Sequence, residues 1–217
     1  MNKLFIPVFL VIFLFLSCNQ PDHKILLMAD EFSKLERGPF GSNTGAHTEY
    51  HYLHEARPRG NWAIATHKTS LPSPWSVRDI NGKRVLLHNE IIKNNYWHPM
   101  VVAGDVLWEN YTLNASFSLL EKGNRTGVMF RYNNSRCYYF LGVEDETAVL
   151  KMVNHATGYH QPLEVMLGSQ NFNYKANEEI KVSINVSGDK ISASFDDGPV
   201  FEVIDSTFRN GKIYAGN

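Results

Sequence analysis

The sequence predicts an all-β chain folded as an antiparallel β-sandwich of the jelly-roll type. Three observations predict it. Apolar and polar residues alternate with period two, the mark of half-buried strands. The alternating stretches are short and are separated by Gly, Asn, Asp and Pro turns. No segment keeps a helical period for more than three turns.

The elements follow in order. After Asp30, strands are expected around Glu49–Tyr52, Trp62–Thr66 and Lys83–Leu87. In Tyr111–Leu119, Tyr111, Leu113, Ala115, Phe117 and Leu119 share one face, with Thr112, Asn114, Ser116 and Ser118 on the other. Gly127–Tyr132, Cys137–Val143 and Ala148–Val153 read as further strands. Ile180, Val182, Ile184 and Val186 alternate with Lys181, Ser183 and Asn185, and Ser187-Gly188-Asp189 turns the chain into Lys190–Phe195. Asp196-Asp197-Gly198 makes the next turn into Val200–Val203. These last three strands are expected to form an antiparallel meander.

Composition sets limits. The chain has 217 residues, with 21 Lys+Arg against 22 Asp+Glu, a formal net charge of -1. No bulk field draws it to nucleic acid or to an anionic surface. The 43% hydrophobic content is that of a folded protein. Two cysteines, Cys18 and Cys137, exclude a disulfide framework and a four-cysteine zinc site.

Residues 1–17 read as an address. Lys3 is followed by an apolar run, Leu4–Leu16, of signal length and too short to span a bilayer as a helix. Ser17-Cys18 after that run resembles the lipobox of bacterial lipoproteins. The resemblance implies cleavage before Cys18, lipidation of its thiol, and an envelope location. Asn19, in place of the Asp that holds such proteins at the inner membrane, implies the outer membrane. Residues 18–29 then form a lipidated tether, and 30–217 the jelly-roll domain.

Several motifs carry a resemblance over that domain: DEFS at Asp30–Ser33, GDVLWENYTL from Gly104, GNRTGVMFRYNNSRCYYFLGV from Gly123, IKVSINVSGDKISASFDDGPVFEV from Ile180, DSTF from Asp205 and GKIYAGN from Gly211. Their order resembles the concanavalin A-like lectin/glucanase jelly roll, in its laminin-G-like and 3-keto-disaccharide-hydrolase-like bacterial branches. The segment from Gly45 to His67 resembles the amino-terminal jelly-roll modules of large polysaccharide-degrading proteins, including pectin-lyase-like ones. Such domains usually continue past the GKIYAGN motif with a strand that pairs near the first, so the domain is expected to lack its last strand, leaving an edge open at an Asp30–Phe32 strand.

The candidate chemistry is polar and aromatic. On a strand, His47, Glu49 and His51 project from one face. Two imidazoles and a carboxylate suit a divalent metal, proton abstraction, sugar contact, or a solvated sheet face. His54 and Glu55 extend the cluster. Family 16 glycoside hydrolases of this fold carry alternating carboxylates; Glu144-Asp145-Glu146 is consecutive and reads as a solvated turn. A lyase would need a neutraliser and a base, for which Arg131, Arg136, Tyr138 and His51 are the candidates, although Arg131 reads as outward beside inward Val128, Phe130 and Tyr132. Trp97, beside His98 and Pro99, and then Trp75 are the candidates to stack on a sugar ring. Trp108 and Trp62 read as structural. Cys137 reads as a buried, inert thiol. The resemblance also implies a structural calcium ion, with Asp30, Glu31 and Asp205 as oxygen donors.

Two function classes follow. One is a lipid-anchored carbohydrate-binding module for polysaccharide capture or degradation. The other is a glycoside hydrolase or polysaccharide lyase of the same fold, or a shortened remnant of one.

Overall fold

A computed structural model describes residues 24–40, 59–65, 75–88, 100–122, 125–154, 163–196 and 198–216. Its strands are β1 (Gly38–Pro39), β2 (Ala63–Ala65), β3 (Trp75–Ile80), β4 (Lys83–His88), β5 (Met100–Ala103), β6 (Tyr111–Phe117) and β7 (Thr126–Asn134). They continue as β8 (Cys137–Glu144), β9 (Thr147–Asn154), β10 (Leu163–Asn171), β11 (Ile180–Ser187), β12 (Lys190–Phe195), β13 (Val200–Ile204) and β14 (Lys212–Gly216). Every pairing is antiparallel.

Seven strands form one layer in the order β10-β9-β8-β7-β14-β5-β2. The sheet β13-β12-β11-β6 contains the expected meander and covers the inner face of that layer. The sheet β1-β3-β4 packs Trp75 and Val77 on Val101, Ala103 and Ile213, so it covers the β5–β2 end of the same face. Tyr111 and Leu113 touch both cores and join them.

The two layers follow different sequence patterns for a physical reason. In β11 buried and exposed residues alternate, because its outer face meets water. In β8 and β9 the middle six residues are all buried. Phe130, Tyr139, Leu141, Leu150 and Met152 fill the inner core. Met129, Tyr132, Tyr138, Phe140, Val149 and Val153 form a second cluster with Met100 and Val102 on the outer face. A sheet buried on both faces reads as a continuous apolar run.

Two expectations are corrected. Asp30–Phe32 is not a strand: Asp30 Oδ1 accepts the Phe32 N–H at 2.7 Å, and Phe32 has φ 58°, which closes a turn. Arg131 does not point outward. It has φ 48° at a bulge in β7, so Arg131 follows Phe130 onto the inner face and Tyr132 moves to the outer one. Gly211 permits this kink, because a Cβ there would meet Tyr132 N at 2.6 Å. Strand β14 lies between β7 and β5, paired on both sides.

Candidate functional site

The outer face of the seven-stranded sheet carries an ionic cluster over an aromatic floor. Gly127 and Gly142 sit opposite each other on β7 and β8. A Cβ on Gly127 would meet the Phe140 ring at 2.9 Å, and one on Gly142 would meet it at 2.5 Å. The two glycines therefore let the Phe140 ring lie flat across the sheet. The Arg125 guanidinium sits over that ring at 4.3 Å.

Four charges close a ring there. Arg125 reaches Glu144 at 3.3 Å and Glu164 at 2.7 Å; Lys151 reaches Glu144 at 2.6 Å and Glu164 at 3.1 Å. Lys151 stands on β9 opposite Phe140, Glu144 ends β8, and Glu164 lies on edge strand β10. Side-chain exposure runs from 11% at Lys151 to 35% at Glu164, so the ring is half-buried and open on the β10 side. Partial burial makes such pairs stronger than surface ones.

The electrostatics are those of fixed charges. Burial pushes Glu164 up, but Arg125 and Lys151 outweigh it and hold the carboxyl below its ordinary range. Burial also acts against the Arg125 charge, and Tyr138, Glu164 and Glu144 more than offset it, raising its pKa. Burial pushes Tyr138 up to about 12. Among the described residues, Arg125 Nη2 and Glu144 Oε1 are buried without a hydrogen-bond partner.

The candidates read from sequence fare differently. His47, Glu49, His51, His54, Glu55, Trp97, His98 and Cys18 lie outside the described residues. Trp75 is a correction: it is 5% exposed, edge-on to His88, because β3 turns it into the core with Val77. Trp62 is 6% exposed and in the same core. Trp108 is half-buried, packed under Gly104 and edge-on to Tyr111. Arg131 and Tyr138 do not converge. Arg131 is buried on the inner face, donating to the carbonyls of Phe208 at 2.9 Å, Glu109 at 3.1 Å and Gly188 at 2.6 Å. Tyr138 is buried on the outer face, stacked on Tyr132. Arg136 is also buried. Cys137 is half-buried rather than fully enclosed, with Asn154 beside it at 3.9 Å.

Asp30 and Asp205 do not form one calcium site. Asp30 accepts from Phe32 N and Trp62 Nε1, beside β2. Asp205 accepts from Tyr139 on β8 at 2.5 Å and from Thr207 N. Strands β2 and β8 are four strand spacings apart, about 19 Å. Glu31 is exposed. Among the described residues no three His, Cys, Asp or Glu side chains gather.

Sequence reading missed the ionic ring. Glu144 was expected in a solvated turn, yet it closes β8 against two cations. The available signal was Lys151: a lone charge in the buried run Ala148–Val153 needs partners.

No family model and no curated protein matches the sequence. Among solved structures, the chain resembles the carbohydrate binding module CBM66 from Bacillus subtilis, at 14% identity and TM-score 0.52, over 72% of this chain and 87% of that one. It also aligns with LamAcat from Zobellia galactanivorans, at 11% identity and TM-score 0.43, over 86% and 83%. A third alignment is to the kappa-carrageenase from Pseudoalteromonas carrageenovora, at 13% identity and TM-score 0.40, over 86% and 77%. By fold, the chain is a concanavalin A-like jelly-roll β-sandwich.

Proposed function

We propose that the protein is a lipid-anchored carbohydrate-binding β-sandwich that captures polysaccharide at the bacterial envelope, on the outer membrane. The observation that carries this reading is the ring of Arg125, Glu144, Lys151 and Glu164 on the outer sheet face, in a sandwich that shares its fold with a carbohydrate-binding module. Cations that donate alternate with carboxylates that accept, a pattern that matches neighbouring sugar hydroxyls. The ring contributes hydrogen bonds, because its aromatic floor is buried: Phe140 is 0% exposed and Tyr138 4%. Stacking falls to Trp97, with His98 and the cluster of His47, Glu49 and His51 as further contacts. Cys18 supplies the anchor.

The charges favour binding over acid–base catalysis. A general acid near neutral pH needs a raised carboxyl pKa. Among the described residues, the carboxyls that shift, Asp79, Glu164 and Asp205, are all lowered. Tyr138, at about 12, is far from the range of a base working at neutral pH.

Affinity electrophoresis of the chain from Asn19 onward, through gels containing pectic, alginate and β-glucan polymers, tests the reading. Retardation by at least one polymer is expected, with no unsaturated uronate product in ultraviolet absorbance. Free migration through every gel would sink it.

A further inference from the structure

One end of the sandwich leaves large apolar side chains in water. Ile25 is 81% exposed and Leu26 79%; Val106 and Leu107, in the loop between β5 and β6, are 46% and 73% exposed. The fold fixes the attachment points of both segments at one end. Met28 packs on the cluster that holds Trp62 and Ala103, and Trp108, directly after Leu107, packs on the same cluster. Strands β2 and β5 are antiparallel, with Ala63 opposite Val102, so the chain entering β2 and the loop leaving β5 lie at one end. Both places are tied down. Asp30 accepts the Trp62 Nε1 proton at 2.9 Å, and the Val106 carbonyl accepts from Asn210 Nδ2 at 2.7 Å. Ile204, 75% exposed at the end of β13, stands at this end too: the next residue, Asp205, donates its N–H to Asp189 O, and the adjoining Gly188 N–H bonds Asn110 Oδ1.

Apolar side chains grouped on one rim mark a surface that is covered in use. The chain itself points to what covers it. Five residues separate Cys18 from Lys24, and the six steps between them reach about 20 Å at full extension. With Cys18 in the bilayer, Ile25 and Leu26 cannot lie far from the lipid surface.

We infer that this rim is a membrane contact, in which Ile25, Leu26, Val106 and Leu107 enter the lipid interface beside the anchored Cys18. The inference rests on the anchor proposed above. Interfacial insertion of a few apolar side chains adds to a lipid anchor and fixes the orientation of the domain. The ionic ring runs along the outer sheet face: Arg125 and Glu144 come from the far ends of β7 and β8, Lys151 from the middle of β9, and Glu164 from the near end of β10.

The test uses the full chain, processed in a bacterial host and reconstituted into phosphatidylethanolamine/phosphatidylglycerol vesicles. In a Cys137→Ser background, Leu107→Cys carries a bimane label, and Val200→Cys, 61% exposed at the opposite end of β13, carries the control label. Brominated phospholipid is expected to quench the label at 107 and leave that at 200 unchanged. Leu26→Asp is expected to reduce the quenching at 107. Equal emission changes at both positions, or none at either, would overturn the rim contact. Mass spectrometry of Cys18 reads the anchor separately: acylated protein with an unquenched label at 107 overturns the rim alone. Unacylated protein overturns the anchor and the rim with it.

Discussion

Two side chains, buried Arg131 and half-buried His88, show how single residues hold this sandwich. Arg131 is 1% exposed and donates to three backbone carbonyls from three loops. Its guanidinium thus joins the turn after β11, the loop before β6 and the loop before β14. Arg131→Met leaves those carbonyls buried without a donor, and we expect it to cost at least about 3 kcal/mol in urea unfolding. Arg131→Lys should recover only part, because an ammonium lacks the planar fork. His88 is held by burial at about 4, below its ordinary 6.5. The folded state therefore binds this proton less readily than the unfolded chain. The stability it contributes is present above about pH 6.5 and is lost as pH falls toward 4, by about 2 kcal/mol after solvent screening of a half-buried ring. Urea midpoints measured across that window should fall with acid, and His88→Gln should flatten the slope.

Elements show which parts of the fold can be read from sequence. Strands β6, β11 and β12 were legible because each has one wet face, so period two survives in Tyr111–Phe117 and Ile180–Phe195. Strand β5 was not, because Met100–Ala103 is buried on both faces and shows no alternation. Strand β10 was hidden by its bulge between Met166 and Gly168, which breaks the period. Arg131 was misread for the same reason: a bulge moves a side chain to the other face without changing composition. The ionic ring depends on register, since Glu164 meets Lys151 only through the β9–β10 pairing. The floor beneath it depends on Gly142. Gly142→Ala drives a methyl into the Phe140 ring and the facing backbone, and should cost about 1–3 kcal/mol or more in thermal unfolding. An unchanged melting temperature would show that the ring floor is not fixed by that glycine.

At the scale of the whole molecule, one layer is buried on both faces and the other faces water on one side. That asymmetry gives the seven-stranded sheet a sheltered outer face, where a half-buried ring of two cations and two anions can persist. The proposed function puts sugar on this outer face, and the inferred membrane contact lies at the rim where β5 ends. Titration calorimetry with the polymer that retards the protein, comparing wild type with Glu164→Gln, tests the link most directly. The substitution keeps the shape of the side chain but removes a charge-assisted acceptor at the open side of the ring. The account predicts a folded variant, less stable than wild type because Arg125 and Lys151 lose a charged partner, with an affinity lower by about 10- to 100-fold, the loss of one hydrogen bond to a charged group. Unchanged affinity in the variant would contradict it.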